Sequence, residues 1–561
     1  MHSLVVIVNF GCGQRPRCVI SVTSVPPCSF AHMFDRTDPP AKKLMKHLFL
    51  ITILLTSPTY ANDVIFSTSF EKHQVGKFTS LTLADGVKAK VQGTASINSR
   101  YARTGKQCLH MLGDKGNTLT FQLPAHLQSL QGISFRAERW TRRRPFRFSV
   151  EVLQGDKWQK IARLDEVTLV GARFLSHIKL AVKSQTKVKA IRFAVQAAPR
   201  SGLLVDDLKF HSLPPRQPTR FPTGKRPTKP LKLITKQDLF VSGKQNTHTF
   251  RIPAIITAKN GDLIVACDAR RKTSADLGKQ RTIDIVFRRS TDNGKTWSPM
   301  KEMDTIDHGG CSDPSLLLDR TTGTIFCFYN YMSEDRRNNE YRFIVQQSSD
   351  HGKTWSKPID FTDQVAGPKL KNAFKFVTSG RGIQTREGML LHNYVRVGRG
   401  ITLFGSGDHG KSWHKISDVS PGDESKVVQL SDGSLMVNSR IGPGRRHVHR
   451  SVDGGKTWKS DADFSLADPR CNACILQYQF KGSSKSPLIF CNAASNRSRR
   501  NLAVRVSHDN GATWSEGKVI DRGPSAYSEI TILHDGSLGV VYEPGYKAIR
   551  FVRFSLDELM R

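Results

Sequence analysis

The sequence lacks the motifs that usually accompany a strongly basic protein. Its 561 residues carry a net charge of +37, which makes nucleic acid the first partner to consider. It contains no zinc finger, RNA-binding signature or basic helix, and its Lys and Arg residues are spread through the whole chain. We therefore expect no nucleic-acid partner. A cationic surface also suits an anionic sugar or polysaccharide.

The sequence also lacks a metal-binding pattern. Cys471-Asn-Ala-Cys474 is a lone CxxC, with no second pair and no HxxxH. After residue 44 the number of Cys residues is seven, and an odd number in so long a chain does not indicate a disulfide framework. We expect small buried Cys residues with at most one disulfide, and neither a metal nor a cofactor.

The apolar run near the N-terminus is too short to cross a bilayer comfortably. This run, Leu48–Leu55, follows Lys46 and precedes the small residue Ala61, as in a secretory signal peptide. We interpret 45–61 as a signal peptide for secretion or export to the periplasm, without stable membrane insertion. Residues 1–44 have no clear periodicity, so we interpret them as an over-long gene start, with a disordered extension as the alternative.

One short pattern, S-x-D-x-G-x-[ST]-W, occurs five times at intervals of about 45–58 residues. The copies, known as Asp boxes, are Ser290–Trp297, Ser348–Trp355, Ser406–Trp413, Ser451–Trp458 and Ser507–Trp514. Each follows a β-prone run. The Asp can accept hydrogen bonds from backbone N–H groups two or three residues further on, and the Gly permits a turn. The repeat predicts four-stranded propeller blades.

The remaining segments divide the chain further. Residues 62–213 contain short alternating strands without an Asp box, which predicts a β-sandwich of jelly-roll, lectin-like type. A sugar-binding role, with Trp140 and Trp158 as a platform, and a packing role are both open for it. Residues 214–230 are Pro-rich and basic, as in a linker. A second domain, 231–561, holds the five boxes.

The segment Phe250-Arg251-Ile252-Pro253 precedes the first strand of this second domain. Together with the Asp boxes it resembles the bacterial-type exo-sialidase (neuraminidase) family. The resemblance covers roughly 236–554 and implies a six-bladed β-propeller, five blades with the box and one without. It implies a glycoside hydrolase that removes terminal sialic acid from glycoproteins, glycolipids or oligosaccharides, with sialylated glycans as partners and without a metal.

The family binds the sialic acid carboxylate with three Arg residues, because guanidinium groups are always charged and bind carboxylates bidentately. By resemblance these are Arg251, Arg440 and Arg499, the last with Arg497 and Arg500 as alternatives.

The family also has an acid/base Asp, an Arg near the sugar O4 and a pocket-lining Asp in the second blade. Asp276, Arg270 and Asp313 match these in turn. Asp284 is a rival for the acid, and Asp-Pro at 313 is also a plain turn signal.

The sialidase nucleophile is a Tyr, an exception to the two-carboxylate scheme, because a neutral phenol avoids repulsion from the sugar carboxylate. Its unperturbed pKa is near 10, so a base must take the proton. Tyr527 matches the nucleophile, Glu424 the base, and Glu543 a Glu that orients the first Arg.

Three alternatives stay open from the sequence: a trans-sialidase, an intramolecular (anhydro-forming) trans-sialidase, and an inactive sugar-binding propeller.

Overall fold

The computed structural model describes residues 63–561, except 114–115, 142, 144, 166, 169, 171–175, 184–186, 216–217, 220–226, 304–305, 307, 335–339, 368–372, 443, 464, 481–482, 484–485 and 497. The predicted signal peptide and the segment 1–44 lie outside the described residues, as does most of the predicted linker. Among the described residues, no helix is long and apolar enough to cross a membrane.

The first part of the described chain is one antiparallel sheet of eleven strands. These are β1 (Val64–Thr68), β2 (Gly76–Thr82), β3 (Lys88–Asn98), β4 (Cys108–Leu112), β5 (Asn117–Gln122), β6 (Gly132–Arg139), β7 (Phe146–Gln154), β8 (Lys157–Arg163), β9 (Ser176–Ala181), β10 (Val188–Ala197) and β11 (Gly202–His211). Their order is β8-β7-β10-β5-β3-β4-β11-β6-β9, with β1 beside β11 and β2 beside β3. Two 3₁₀ turns, Ala84–Gly86 and Ala125–Leu127, join strands.

This sheet curls around a single core. Phe135 on β6 and Phe193 on β10 lie far apart in the strand order, yet their ring centroids are 4.9 Å apart. The sheet is therefore barrel-like, and the two faces of the predicted sandwich are continuous. Neither Trp of the suggested platform presents a bare ring: Trp140 packs on His110 at 4.5 Å, and the Arg192 guanidinium covers Trp158 at 4.0 Å.

The second part is a propeller of six blades, which confirms the predicted all-β class and blade count. The first blade contains β13 (Thr249–Thr257), β14 (Leu263–Arg270), β15 (Ile283–Ser290) and β16 (Lys301–Glu302). The second contains β17 (Gly309–Leu318), β18 (Ile325–Ser333), β19 (Tyr341–Ser348) and β20 (Ile359–Asp360), with β22 (Gly380–Arg381) beside β17. The third contains β21 (Lys375–Val377), β23 (Ile383–Gln384), β24 (Leu390–Arg396), β25 (Gly400–Ser406) and β26 (His414–Val419).

The fourth blade contains β27 (Ser425–Gln429), β28 (Leu435–Gly442), β29 (Arg445–Ser451) and β30 (Lys459–Asp463). The fifth contains β31 (Cys474–Gln477), β32 (Leu488–Ala493), β33 (Arg500–Ser507) and β34 (Lys518–Pro524). The sixth contains β35 (Ser528–Ile532), β36 (Leu538–Tyr542), β37 (Ala548–Phe554) and β12 (Thr235–Val241). Two short helices, α1 (Thr362–Val365) and α2 (Leu556–Met560), complete the described elements.

The sixth blade closes the ring with strands from both ends of the domain. Its outer strand β12 precedes the first blade in sequence and pairs antiparallel with β37, the last strand of the chain. The chain itself links β12 to the first blade, and the backbone hydrogen bonds between β12 and β37 fix that link within the sixth blade. This blade is the one without an Asp box.

The Asp boxes form turns between the third and fourth strands of five blades. In the first, Asp292 Oδ1 accepts hydrogen bonds from the backbone N–H groups of Lys295 and Thr296 at 3.0 and 2.9 Å. The Asp thus caps residues three and four positions on, one further than the sequence suggested. Gly294 has φ +78°, and a Cβ there would lie 2.5 Å from the Phe551 ring, so both conformation and space require Gly.

The Trp of each box packs at a junction between blades. Trp297 lies edge-on to Phe551 of the sixth blade, and Trp413 to Phe326 of the second blade, with centroid distances of 5.2 and 5.6 Å. The repeat therefore stabilises the contact of each blade with its neighbour as well as the hairpin itself.

The antiparallel order of the blades assigns the boxes and the predicted site to opposite faces. We call the upper face the one at which the inner strands β13, β17, β27, β31 and β35 begin. In each blade the second strand ends at this face, and the turn after the third strand lies at the other. The boxes therefore lie on the lower face, whereas the predicted site residues lie at starts of first strands and ends of second strands.

The seven Cys residues of the described part are all buried and have free thiols, so no disulfide forms among them. They include both members of the CxxC. No group of three or more His, Cys, Asp or Glu residues in the described chain has a metal-binding arrangement.

Candidate active site

A Tyr–Glu pair lies at the centre of the upper face. Tyr527 immediately precedes β35 and Glu424 immediately precedes β27, so two different blades supply them. The Tyr527 hydroxyl donates a hydrogen bond of 2.6 Å to Glu424 Oε1. Burial raises the pKa of the Tyr527 phenol well above its usual value, and the Glu424 charge adds to this effect. The phenol is therefore neutral until a base removes its proton.

Arg440, near the end of β28, holds this pair in place. Its Nη1 donates to the Tyr527 hydroxyl oxygen at 3.1 Å and lies 2.9 Å from Glu424 Oε2. Its Nε and Nη2 donate to Asp423 Oδ2 at 3.2 and 2.9 Å. The guanidinium thus supports negative charge on both the phenol oxygen and the carboxylate. Asp423 was not identified from the sequence, although its position beside Glu424 at the start of an inner strand was a usable signal.

Arg251 is fixed by a buried carboxylate from the sixth blade. Its Nε donates to Glu543 Oε1 at 2.7 Å, and the Glu543 side chain is fully buried. The same oxygen accepts a 2.7 Å hydrogen bond from the backbone N–H of Ile252, and Glu543 Oε2 accepts one from the Tyr527 N–H at 3.2 Å. Glu543 therefore ties Arg251 to the backbone of Tyr527.

The FRIP segment makes this contact through a β-bulge. Ile252 has φ +60°, a rare conformation for a β-branched residue, and the β13–β14 pairing shifts register between Arg251 and Ala254. The bulge turns the Ile252 N–H out of the ladder and toward Glu543. Such strain costs on the order of 1–3 kcal/mol and is typical of functional sites.

Asp313 sits in a second bulge of the same kind. It has φ +64° and precedes Pro314, and the β17–β18 register shifts between Ser312 and Ser315. The plain turn suggested by Asp-Pro is thus a bulge within an inner strand. Burial raises the pKa of the Asp313 carboxyl well above its usual value, and Asp268 and Glu424 raise it further. The Asp313 carboxylate accepts a hydrogen bond of 3.3 Å from the Asn330 side-chain amide.

Arg270 and Asp276 form a pair at the edge of the site. Arg270 is buried at the end of β14, and its Nη1 donates to Asp276 Oδ1 at 2.6 Å. The Asp276 side chain is 80% exposed, on the loop before β15. Loss of hydration acts to raise the Asp276 pKa, but the Arg270 charge and hydrogen bond are stronger and hold it below its usual value. Asp276 is therefore ionised in the free protein.

Three residues near Arg270 form ion pairs within the first blade, namely Asp268, Arg271 and Asp284. Asp268 is fully buried and accepts from Arg270 Nε and Nη2 at 3.2 and 3.1 Å. Arg271 donates to Asp284 at 2.6 Å, which places the rival acid Asp284 in an ion pair on the adjacent strand. The geometry therefore favours Asp276 over Asp284 as the residue facing the site.

Arg499 completes the arrangement from the fifth blade. Its guanidinium lies 5.3 Å from the centre of the Tyr527 ring. The Arg251 guanidinium lies 5.5 Å from the centre of the same ring. Arg500, the next residue, is exposed at the start of β33. Arg497 lies outside the described residues. The structure thus brings Arg251, Arg440 and Arg499 around one phenol ring.

One further residue, Tyr546, was missed by the sequence reasoning. Its ring covers the Arg251 guanidinium at 4.4 Å, and its hydroxyl accepts from Arg499 at 3.2 Å. Its sequence context, Pro-Gly-Tyr-Lys, resembles any short turn, so no signal marked it.

The site contains three Arg residues around one phenol ring, a neutral phenol hydrogen-bonded to a carboxylate, and a separate exposed carboxyl. This set can hold an anionic substrate, supply a nucleophile and protonate a leaving group.

Comparison with known proteins gives relatives that include bacterial sialidases. Residues 279–540 match the model of the BNR repeat-like domain. The chain is 36% identical over 356 residues to the sialidase of Micromonospora viridifaciens, covering 58% of this chain and 54% of the relative. It is 30% identical over 356 residues to the sialidase of Bacteroides fragilis, covering 57% of this chain and 64% of the relative. The chain thus spans about half to two thirds of these relatives.

Solved structures share the fold. The structure called Hadza microbial sialidase Hz136 aligns with a TM-score of 0.54 at 23% identity, covering 80% of this chain and 98% of that chain. The leech intramolecular trans-sialidase aligns with a TM-score of 0.50 at 17% identity, covering 77% and 95%. At these identities the likeness shows the fold alone. The chain thus contains a BNR repeat-like domain and is similar in sequence to bacterial sialidases.

Proposed function

We propose that the protein is an exo-α-sialidase that hydrolyses terminal α-linked sialic acids of glycoproteins, glycolipids or oligosaccharides. The observation that carries this proposal is the Tyr527–Glu424 hydrogen bond of 2.6 Å with Arg440 donating to the same phenol oxygen. A neutral nucleophile with its own base suits an anomeric carbon that already carries a carboxylate.

In the proposed reaction, Arg251, Arg440 and Arg499 bind the sugar carboxylate. Glu424 accepts the Tyr527 proton as the phenol oxygen bonds to the anomeric carbon. The bond from that carbon to the leaving oxygen breaks, and Asp276 gives the leaving oxygen a proton. The product of this step is a sialyl–tyrosine intermediate and a free glycan.

In the second step, Asp276, now a carboxylate, takes a proton from water, whose oxygen attacks the same carbon. The Tyr527–carbon bond breaks and Glu424 returns the proton to the phenol. Two inversions give retained configuration. Arg270 favours this half of the reaction, because it stabilises the ionised form of Asp276.

The first step requires Asp276 in its protonated form. The free protein holds it ionised, so the acid form must arise on substrate binding. A bound leaving sugar would cover this exposed carboxyl, and loss of hydration raises the pKa of a carboxyl. Burial by the substrate is thus the physical route to the acid.

Product analysis tests the proposal. A sialylated trisaccharide is incubated with the protein, and NMR follows the products from the first turnovers. We expect free sialic acid to appear first as the α-anomer. A sialic acid transferred to a second glycan, or an anhydro product, would identify one of the two transferase alternatives. Binding without any product would identify an inactive sugar-binding propeller.

We also propose that the protein is exported, with residues 45–61 removed as a signal peptide. N-terminal sequencing of the mature protein tests this directly. We expect a start just after Ala61. A mature N-terminus upstream of residue 45 would exclude both the cleavage and the interpretation of residues 1–44 as untranslated.

A further inference from the structure

The three Arg residues around Tyr527 are held in different ways. Arg251 is paired with Glu543, and Arg440 with Asp423 and Glu424. Arg499 has two neutral acceptors in the described chain. Its Nη1 donates to the Tyr546 hydroxyl and its Nη2 to the Arg470 carbonyl, both at 3.2 Å. The positive charge of Arg499 is therefore the least neutralised of the three, and Tyr546 is the side chain that fixes it.

Tyr546 also contacts the first Arg. The Arg251 guanidinium lies 4.4 Å from the centre of the Tyr546 ring, within the range of a cation–π contact. The ring face supports Arg251 while the hydroxyl, at the end of the same side chain, orients Arg499. One side chain thus sets the spacing between two guanidinium groups supplied by the first and fifth blades.

The backbone around Tyr546 is held in an unusual conformation. Gly545 and Tyr546 have φ values of +59° and +63°, and the left-handed region is uncommon for an aromatic residue. The Ser242 hydroxyl donates to the Tyr546 carbonyl at 3.0 Å and accepts from the Phe250 N–H at 3.2 Å. The strained turn is therefore anchored to the strand that carries Arg251, and the strain aims the ring at the site.

We infer that Tyr546 is a positioning residue that sets the distance and orientation of Arg499 relative to Arg251 for binding a substrate carboxylate. This inference rests on the proposed function and adds a residue that the sequence pattern does not mark. Tyr546 touches two Arg residues and takes no part in proton transfer. Its effect should therefore fall on carboxylate binding, which is the same in the ground state and the transition state, and leave the chemistry at Tyr527 unchanged.

The test compares Tyr546→Phe, Tyr546→Ala and the wild type on an aryl sialoside. Tyr546→Phe keeps the ring on Arg251 and removes the acceptor for Arg499. We expect KM to rise about 3- to 10-fold with kcat within about twofold, as for the loss of one typical intramolecular hydrogen bond. Tyr546→Ala also removes the ring, so KM should rise further. The pH profile of kcat should stay unchanged in both.

Tyr478→Phe is the matched control. The Tyr478 hydroxyl donates to the Gly536 carbonyl at 2.8 Å on the lower face, away from the Arg residues. It should leave KM unchanged. Equal KM for Tyr546→Phe and wild type would overturn the inference, as would a fall in kcat at constant KM or an equal effect of Tyr478→Phe.

A second readout separates this inference from the proposed function. Calorimetry gives the affinity of the catalytically inert Tyr527→Phe protein for a sialoside and for the same sialoside with its carboxylate converted to an amide. Adding Tyr546→Phe should lower the preference for the carboxylate about 3- to 10-fold. An unchanged preference overturns the role of Tyr546. If the wild type gave no turnover but Tyr546→Phe still lowered the preference for the carboxylate, the result would contradict the hydrolase proposal alone.

Discussion

The Tyr527 hydroxyl lies 2.6 Å from Glu424 Oε1, although 103 residues separate the two in sequence. If Glu424 is the base, Glu424→Gln should lower kcat by about 10²–10⁴-fold with little change in KM, because an amide cannot take the phenol proton. Steady-state kinetics on an aryl sialoside measures this. Glu516→Gln, at an exposed position after the fifth Asp box, is the control and should retain full activity. Normal kcat in Glu424→Gln would exclude the base role.

Asp276→Asn should affect substrates according to their leaving groups. If Asp276 is the acid, a glycan leaving group needs its proton, whereas a nitrophenolate leaves without it. We expect a loss of about 10²–10⁴-fold in kcat/KM on a sialylated trisaccharide and a much smaller loss on the nitrophenyl sialoside. Equal losses on both substrates would count against the acid role.

The pH dependence gives an independent test of Asp276. Arg270 holds the Asp276 pKa below its usual value, so the protonated form becomes scarcer as pH rises. We expect kcat/KM of the wild type on the trisaccharide to rise as pH falls from about 7 to about 5, more steeply than on the nitrophenyl sialoside. Parallel profiles for the two substrates would contradict this expectation.

Arg499 and Arg500 offer a comparison between neighbouring residues. Arg499 lies over the Tyr527 ring, whereas Arg500 is exposed. Arg499→Lys should raise KM about tenfold or more, because an ammonium cannot reproduce the planar guanidinium contacts. Arg500→Lys should leave KM unchanged. The opposite result would assign the third Arg to position 500.

Glu543→Gln should destabilise the propeller. It leaves the Arg251 charge buried without its carboxylate, and breaking such a pair costs about 3 kcal/mol or more. Chemical denaturation measures the change. Asp238→Asn breaks the Asp238–Arg550 pair, which is more exposed, and should cost less than about 1 kcal/mol. If both variants lose the same stability, the Arg251–Glu543 pair has no special structural role.

The Asp boxes should make the fold sensitive to acid. Slight loss of hydration acts to raise the Asp292 pKa, but hydrogen bonds from Thr296, Ser290 and Lys295 are stronger and lower it to about 2, below the usual 3.8. A lowered pKa in the folded state stabilises the fold above pH 3.8, and this contribution is lost as pH falls toward 2.

Asp292→Asn should therefore lower Tm at neutral pH, and the difference from the wild type should shrink between about pH 4 and about pH 2. Differential scanning fluorimetry at several pH values measures it. Asp156→Asn, at a side chain that is 97% exposed, is the control and should show no such trend. A constant Tm difference at all pH values would contradict the assignment to Asp292 ionisation.

The blades were predictable because their signal is local. Each Asp box holds its own turn with hydrogen bonds to residues three and four positions on, and its Gly is required by a positive φ. Five copies at a regular period then imply a ring. The N-terminal strands were also visible as alternating runs, but the path of the sheet around Phe135 and Phe193 depends on long-range packing that no short pattern contains.

The site was predictable only through the resemblance to a family. Arg251, Glu424 and Tyr527 lie far apart in sequence, and the matched motifs placed them in separate blades without giving a distance. Asp423 and Tyr546 carried no such motif. Their contacts with Arg440 and Arg499 depend on how neighbouring blades pack, which explains why sequence reasoning missed both.

The closure of the sixth blade by β12 has a consequence for biosynthesis. Arg251 lies in the first blade to be synthesised, and Tyr527 and Glu543 in the last. They meet only after β12 has paired with β37. A chain whose ring is still open therefore has no assembled site. The proposed activity should appear only once the ring has closed, which makes it a reporter of complete propeller folding.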